Sequence, residues 1–360
     1  MVKVVKGVPA GWGVCSRATL LGSYTGSLSG HDNSVVVGSE CGDIIIQNTI
    51  TGSQSAVLSG HTNQVNSVVV SSDGTLLVSG SYDMTVKLWD VQTGGAIKTF
   101  YGHTKCIWSV SISASCTTIA SGSAEQTAHL WNIQTGECFH TIQQESSVCC
   151  IIFSPKDPQH LTSVSNMKIW QWDGSGCQTR PLFDGSNVAF SSDGTQFVSC
   201  YKNTITINNS SSGGIIPKFQ VASDVHRCSF SPDNKLVAVA ADKITYCWDI
   251  TTSKPQLVET FVGHTDDITS LMFSSPTTLI SASVDSSVKF WQIGAQSTDL
   301  PRFDLKPTSS HSTPILSVSV QSKEGIAFTS DSDGVVKTWD ISTGVCKTSS
   351  QTPANNIMLM

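Results

Sequence analysis

The sequence predicts an all-β protein, a closed ring of radially packed four-stranded sheets, with eight sheets expected and seven as the alternative. Three observations predict it. A block of about 40 residues recurs along the 360-residue chain. Four copies set a His and a Trp 28, 28, 27 and 28 positions apart: His61 and Trp89, His103 and Trp131, His264 and Trp291, His311 and Trp339. Between them, short β-branched runs alternate with turn dipeptides, and no helical period is present.

The clearest copy shows each element in order. Gly60-His61 opens it and Val65–Val70 is the first apolar run. Asp73-Gly74 is a turn signal, because glycine reaches the positive φ that a tight reversal needs. Leu76–Ser79 is the second run, Val86-Lys87-Leu88-Trp89-Asp90 the third, and a Thr-Gly pair turns toward a fourth. Weaker copies end near Asn48, Trp172, Asn208 and Trp248. One such sheet cannot bury both faces, whereas a ring of them buries each against its neighbours and leaves only short edges. The expected organisation is one domain over residues 1–360. Residues 1–23 are expected to supply the fourth strand of the last sheet, in preference to Val345–Ser349, and 350–360 form a tail.

Composition narrows the function. Charged residues are 13% of the chain and net charge is −6, with no Lys/Arg run, so a phosphate-backbone partner is not expected. The 12 cysteines have irregular spacing and no CxxC, which reads as reduced, mostly buried thiols rather than a disulfide or metal framework. No secretory leader and no apolar stretch of about 18 residues is read, so the expected setting is cytoplasmic, away from membranes.

The units running from Gly60-His61 to Trp89-Asp90 resemble WD40 repeats, and the likeness spans roughly residues 24–345. At finer grain, Ser79–Gly94 and Asp340–Gly344 resemble the WD40 region of fungal NACHT–WD40 proteins, the STAND class of NOD-like receptors. No GxxxxGK[ST] loop is present, so only a sensor end is implied. The resemblance implies a hydrogen-bonded tetrad in each complete copy. The sets are His61, Ser79, Asp83 and Trp89; His103, Ser121 and Trp131 with Glu125 as the acid; His264, Ser281, Asp285 and Trp291; and His311, Thr329, Asp333 and Trp339. A Ser–His–Asp grouping also suggests a hydrolase triad. One that recurs at closely matched offsets in four copies is a structural device, so no catalytic residues are expected. Neither a metal nor a cofactor is expected.

The resemblance also places partner contacts on the face that carries the Gly-His loops. They lie three and five residues after each His and just before the turn acid. The candidates are Gln64, Asn66, Tyr82, Trp108, Asp184, Asp224, His226, Asp267 and Thr269, with Tyr82 and Trp108 as aromatic anchors. For Trp108, packing between neighbouring sheets is the competing reading. The expected function is a non-catalytic, monomeric interaction scaffold or sensor that holds a protein or peptide; a small-ligand or glycan-binding ring is the alternative.

Overall fold

The computed structural model describes residues 28–351 except 32–33, 40, 49–53, 155–160, 166–167, 173–179, 185–186, 211–213, 295–310, 322–324 and 334. Strands β1 (Leu28–His31), β2 (Ser34–Gly38), β3 (Ile44–Asn48) and β4 (Gln54–Leu58) form one sheet. β5 (Val65–Val70), β6 (Leu76–Ser81), β7 (Val86–Asp90) and β8 (Ala96–Phe100) form the next. β9 (Ile107–Ile112), β10 (Thr118–Ser123), β11 (Thr127–Asn132) and β12 (Cys138–Gln143) follow, then β13 (Val148–Phe153), β14 (Leu161–Ser165), β15 (Lys168–Trp172) and β16 (Arg180–Asp184). Next come β17 (Asn187–Phe190), β18 (Gln196–Tyr201), β19 (Thr204–Asn209) and β20 (Ile215–Gln220), and then β21 (Val225–Phe230), β22 (Leu236–Ala241), β23 (Ile244–Asp249) and β24 (Gln256–Val262). β25 (Ile268–Ser275), β26 (Thr278–Ser283) and β27 (Val288–Gln292) form a sheet of three strands among the described residues, and β28 (Ile315–Gln321), β29 (Ile326–Asp331), β30 (Val335–Asp340) and β31 (Cys346–Gln351) the last.

Every sheet is an antiparallel meander of consecutive strands. The first strand of each lies innermost, and β28 packs back against β1 to close the ring. The fourth strand of the last sheet is β31. The C-terminal of the two segments weighed from sequence therefore fills that place; residues 1–23, expected there, lie outside the described residues. The apolar tail at 357–360 does too.

The middle strands explain why alternation is weak in the sequence. β6, β10, β22, β26 and β29 are buried on both faces, so they read as continuous runs of Leu, Val, Ala and Ser. Val36, Ile44, Ile46 and Leu58 of the first sheet interlock with Val65, Val68, Leu77 and Trp89 of the second. Val78, Val86 and Leu88 then meet Ile107, Val110 and Trp131 of the third. Each such side chain contributes about 1.5–3 kcal/mol when fully buried. Close approach between sheets requires glycine, as at Gly80 and Gly122. A Cβ on Gly80 would sit 2.6 Å from Ile107 Cγ2, and one on Gly122 would sit 2.6 Å from Val148 Cγ1. The outermost strands are wetter, with Ile97, Phe139 and Leu257 exposed.

Polar links lace the inner strands together. Ser67 Oγ accepts from the Val110 N–H at 3.2 Å, and Ser109 and Ser111 accept from Ile151 and Phe153 at 3.1 Å. Ser270 accepts from Val318 at 3.2 Å. Small hydroxyl side chains here satisfy the backbone donors of the next sheet, which burial would otherwise leave without a partner.

Candidate functional site

The repeated His, Ser and Trp come together as the sequence implies. His61 Nδ1 lies 2.7 Å from Asp83 Oδ2 and its Nε2 2.7 Å from Ser79 Oγ, which also accepts from Trp89 Nε1 at 2.8 Å. His264 meets Asp285 at 2.9 Å and Ser281 at 2.7 Å, with Trp291 donating to Ser281. His103 bonds Glu125 and Ser121, and Trp131 donates to Ser121. One consistent proton assignment fits this network. Nδ1–H donates to the carboxylate, the serine hydroxyl donates to Nε2, and the indole donates to the hydroxyl oxygen, so the imidazole is neutral.

The fourth set differs from expectation in one residue. Asp331, not Asp333, faces His311 Nδ1, at 2.7 Å. His311 Nε2 and Trp339 Nε1 meet Thr329 Oγ1 as expected. The cause is the residue that ends the second strand. In the other copies it is Ser81, Ser123 or Ser283, which accepts the N–H of the turn acid. Asp331 stands there in the last copy and accepts the Asp333 N–H at 3.1 Å, while its other oxygen takes the histidine.

The tetrad acids are ionised well below the ordinary carboxylate range. Burial pushes the Asp83 carboxyl upward, but hydrogen bonds from His61 and Thr85 overcome it and hold it down. Asp285 behaves alike through His264 and Ser287. Glu125, against the same burial, is drawn down to about 2 by Thr104 and His103.

The face carrying these loops gathers the expected contact positions in pairs. The Tyr82 N–H donates to the Gln64 carbonyl at 2.8 Å, and Val284 donates to Asp267 at 2.9 Å. Ala124 with Cys106 and Ser332 with Pro314 repeat the link. The residue before the turn acid and the residue three past the histidine are thus neighbours in all four copies. Tyr82 and Trp108 meet across two sheets, edge to face, with ring centroids 5.4 Å apart, and both rings are half-exposed. Trp108 therefore packs between sheets and also offers surface.

The position five past the histidine mostly turns inward. Asn66 is fully buried, and its Nδ2 donates to the Ile107 carbonyl at 2.8 Å. Thr269 donates to the Ile315 carbonyl at 2.6 Å. Both face the next sheet. Asp224, His226 and Asp267 are exposed, with His226 Nε2 3.4 Å from Asp242 Oδ1. Asp184 ends β16, the outermost strand of its sheet, where an inner-strand position was expected. The serine lacing was missed, although Ser67, Ser109 and Ser270 each lie six residues past a Gly-His histidine and the regularity was there to read.

Comparison with known proteins now decides the family. The model described as "WD domain, G-beta repeat" matches residues 52–90, 94–132, 136–173, 216–249 and 255–292, more than half of the chain. The chain belongs to the WD40-repeat family. The expected count of eight WD40 blades, or seven, is overturned here, because the family model finds five WD repeats. Around Asn48 and Asn208 it makes no match, and there Gln47 and Asn208 stand where the ending Trp would be. The stretch from His311 to Trp339 also lies outside the matches despite its complete tetrad.

The WD40 chain is similar to the small ribosomal subunit protein RACK1 of Drosophila melanogaster, 33% identical over 77% of this chain and 78% of that one. The small ribosomal subunit protein RACK1y of Oryza sativa subsp. japonica is 38% identical over 64% of this chain and 74% of its own. The target of rapamycin complex subunit wat1 of Schizosaccharomyces pombe is 30% identical over 34% of this chain; the match spans 38% of wat1, well under two thirds of its length. Among the described residues no helix is long and apolar enough to cross a membrane.

Proposed function

We propose that this WD40 ring is a non-catalytic interaction subunit, and that a protein or peptide partner docks on the Gly-His face around Tyr82 and Trp108. The observation that carries the reading is the half-exposed aromatic pair spanning two sheets. It is a large, rigid contact held at little entropic cost, flanked by Gln64 and Cys106. The relatives named above are subunits of larger assemblies by their own names, which favours a holding role. Asp224 and Asp267 add exposed negative charge to this face and suit a partner with basic groups.

An enzymatic role is not proposed, because the His–Ser–acid sets recur from sheet to sheet and their hydroxyls are tied to indoles. Neither is nucleic acid, given the net charge of −6. We take the ring to act as a monomer. A sensor role as part of a NACHT-type receptor is the narrower version of this reading, and it rests on the sequence likeness alone.

The test is capture of partners from extract by the wild-type chain and by Trp108→Ala and Asp267→Arg, with each variant's melting curve recorded. Loss of the same captured protein by both variants, at unchanged stability, supports this face. Unchanged capture by both removes it. Binding in a glycan array with no protein captured would favour the sugar-binding alternative.

A further inference from the structure

The sheet β9–β12 departs from the other tetrad sheets at two facing places at once. Its turn acid is Glu125, where Asp83 and Asp285 stand, and two residues before its Trp is His129, where Lys87, Lys289 and Lys337 stand. The result is a His–Glu–His grouping that no other tetrad sheet repeats. A structural device recurs around the ring; a grouping confined to one sheet calls for a separate explanation.

One donor atom from each of His103, Glu125 and His129 lies within 4.8 Å of the others. The His129 ring is about nine-tenths buried, yet its Nδ1 makes no hydrogen bond. Its Nε2 stands 3.7 Å from Glu125 Oε1, and the ring stacks on His103 with centroids 3.9 Å apart and planes 10° from parallel. Two imidazoles and a carboxylate are the donor set of divalent zinc-class ions, and three protein ligands leave a fourth position for water or another group.

We propose that His103, Glu125 and His129 bind a divalent transition-metal ion such as Zn2+. In the stack the in-plane lone pairs run side by side, so coordination turns one ring toward the carboxylate. His129 is the ring that turns, because His103 is pinned by Ser121 and by the tetrad. Coordination replaces the His103–Glu125 hydrogen bond. The His103 proton passes to Nε2, where Ser121 Oγ accepts it, and Nδ1 then presents its lone pair to the ion. This site lies on the Gly-His face beside the Ala124–Cys106 pair, but metal binding and partner capture are read by separate measurements, so either reading can fail alone.

The experiment uses the full chain freed of metal by a chelator, with Zn2+ and Co2+ as probes. Wild type should melt higher as Zn2+ is added and give the intense visible absorption of four-coordinate Co2+. His129→Lys installs the residue of the other tetrad sheets, so it should fold normally, lose the Co2+ band and bind Zn2+ at least about tenfold more weakly. Glu125→Asp, a second variant patterned on those sheets, should weaken Zn2+ in the same direction. The proposal is overturned if Zn2+ leaves the wild-type melt unmoved. It is equally overturned if His129→Lys keeps wild-type affinity, which would assign the ion to exposed groups such as Cys41, Cys138 or His226.

Discussion

The sheets β5–β8 and β21–β24 share strand order and register, yet one is tied by a tetrad and the other is not. In the first, Ser79 Oγ joins His61 and Trp89. In the second, the place that Ser79 holds is taken by Val239, and Trp248 Nε1 is buried without a hydrogen-bond partner. Thr245 Oγ1 nearby is also buried and unpaired. A third solution appears in β17–β20. Asn208 replaces the Trp, and its Nδ2 reaches Ser199 Oγ at 3.1 Å and the Thr206 carbonyl at 3.2 Å. The difference teaches that inter-sheet packing defines the blade while the tetrad reinforces it. Val237, Val239 and Cys228 pack as fully as their counterparts in the tetrad sheets.

The strongest way to break this comparison is Ser79→Ala, which makes a tetrad sheet resemble β21–β24. It strips partners from the His61 imidazole and the Trp89 indole together, so urea unfolding should show a loss of about 2–5 kcal/mol. A loss under about 1 kcal/mol would mean the tetrad is not what ties the loop. Acid should act on the same sheets. Asp83, Asp285 and Asp331 have carboxyls lowered by folding, so they contribute stability above the unfolded value of about 4. That stability disappears as pH falls through the folded values. A melting-temperature profile should therefore be insensitive to these groups above about pH 5 and fall steeply below about pH 4.

Asn66→Ala tests the link between sheets rather than within one. Removing the bond to the Ile107 carbonyl should cost about 1–2 kcal/mol while leaving capture of a partner intact, since the side chain is buried. Val239→Thr runs the first experiment backwards, since Val239 holds the place of Ser79. A hydroxyl placed against Trp248 Nε1 should add about 1 kcal/mol, read as a higher urea midpoint at constant slope. The smallest effect expected is at Cys116. It holds φ of 54° in the turn where Gly74 and Gly194 sit, so Cys116→Gly should stabilise by about 0.5–1 kcal/mol in the same assay.

How much was legible in the sequence follows from what repeats. Constant His-to-Trp spacing and the Asp-Gly turns carried the strands, because a unit with fixed strand lengths leaves fixed offsets. The tetrads followed wherever one acid was available. At Thr329–Asp333 two acids compete, and side-chain direction in the turn, which spacing does not encode, chose Asp331. The contact positions were half legible. Position three past the histidine and the residue before the acid lie side by side, but position five points at the neighbouring sheet, as Asn66 and Thr269 show. Those contacts lie about 40 residues away in the chain, where a pattern read one unit at a time does not reach.

Because each sheet is made of consecutive strands, no shared ladder locks the last sheet, β28–β31, to the first among the described residues. That junction is where β1 lies beside β28. Tension drawing those two sheets apart would there meet no row of hydrogen bonds loaded in parallel among the described residues. In a pulling experiment the wheel should yield first at this joint, at low force, and shed its sheets one at a time from there.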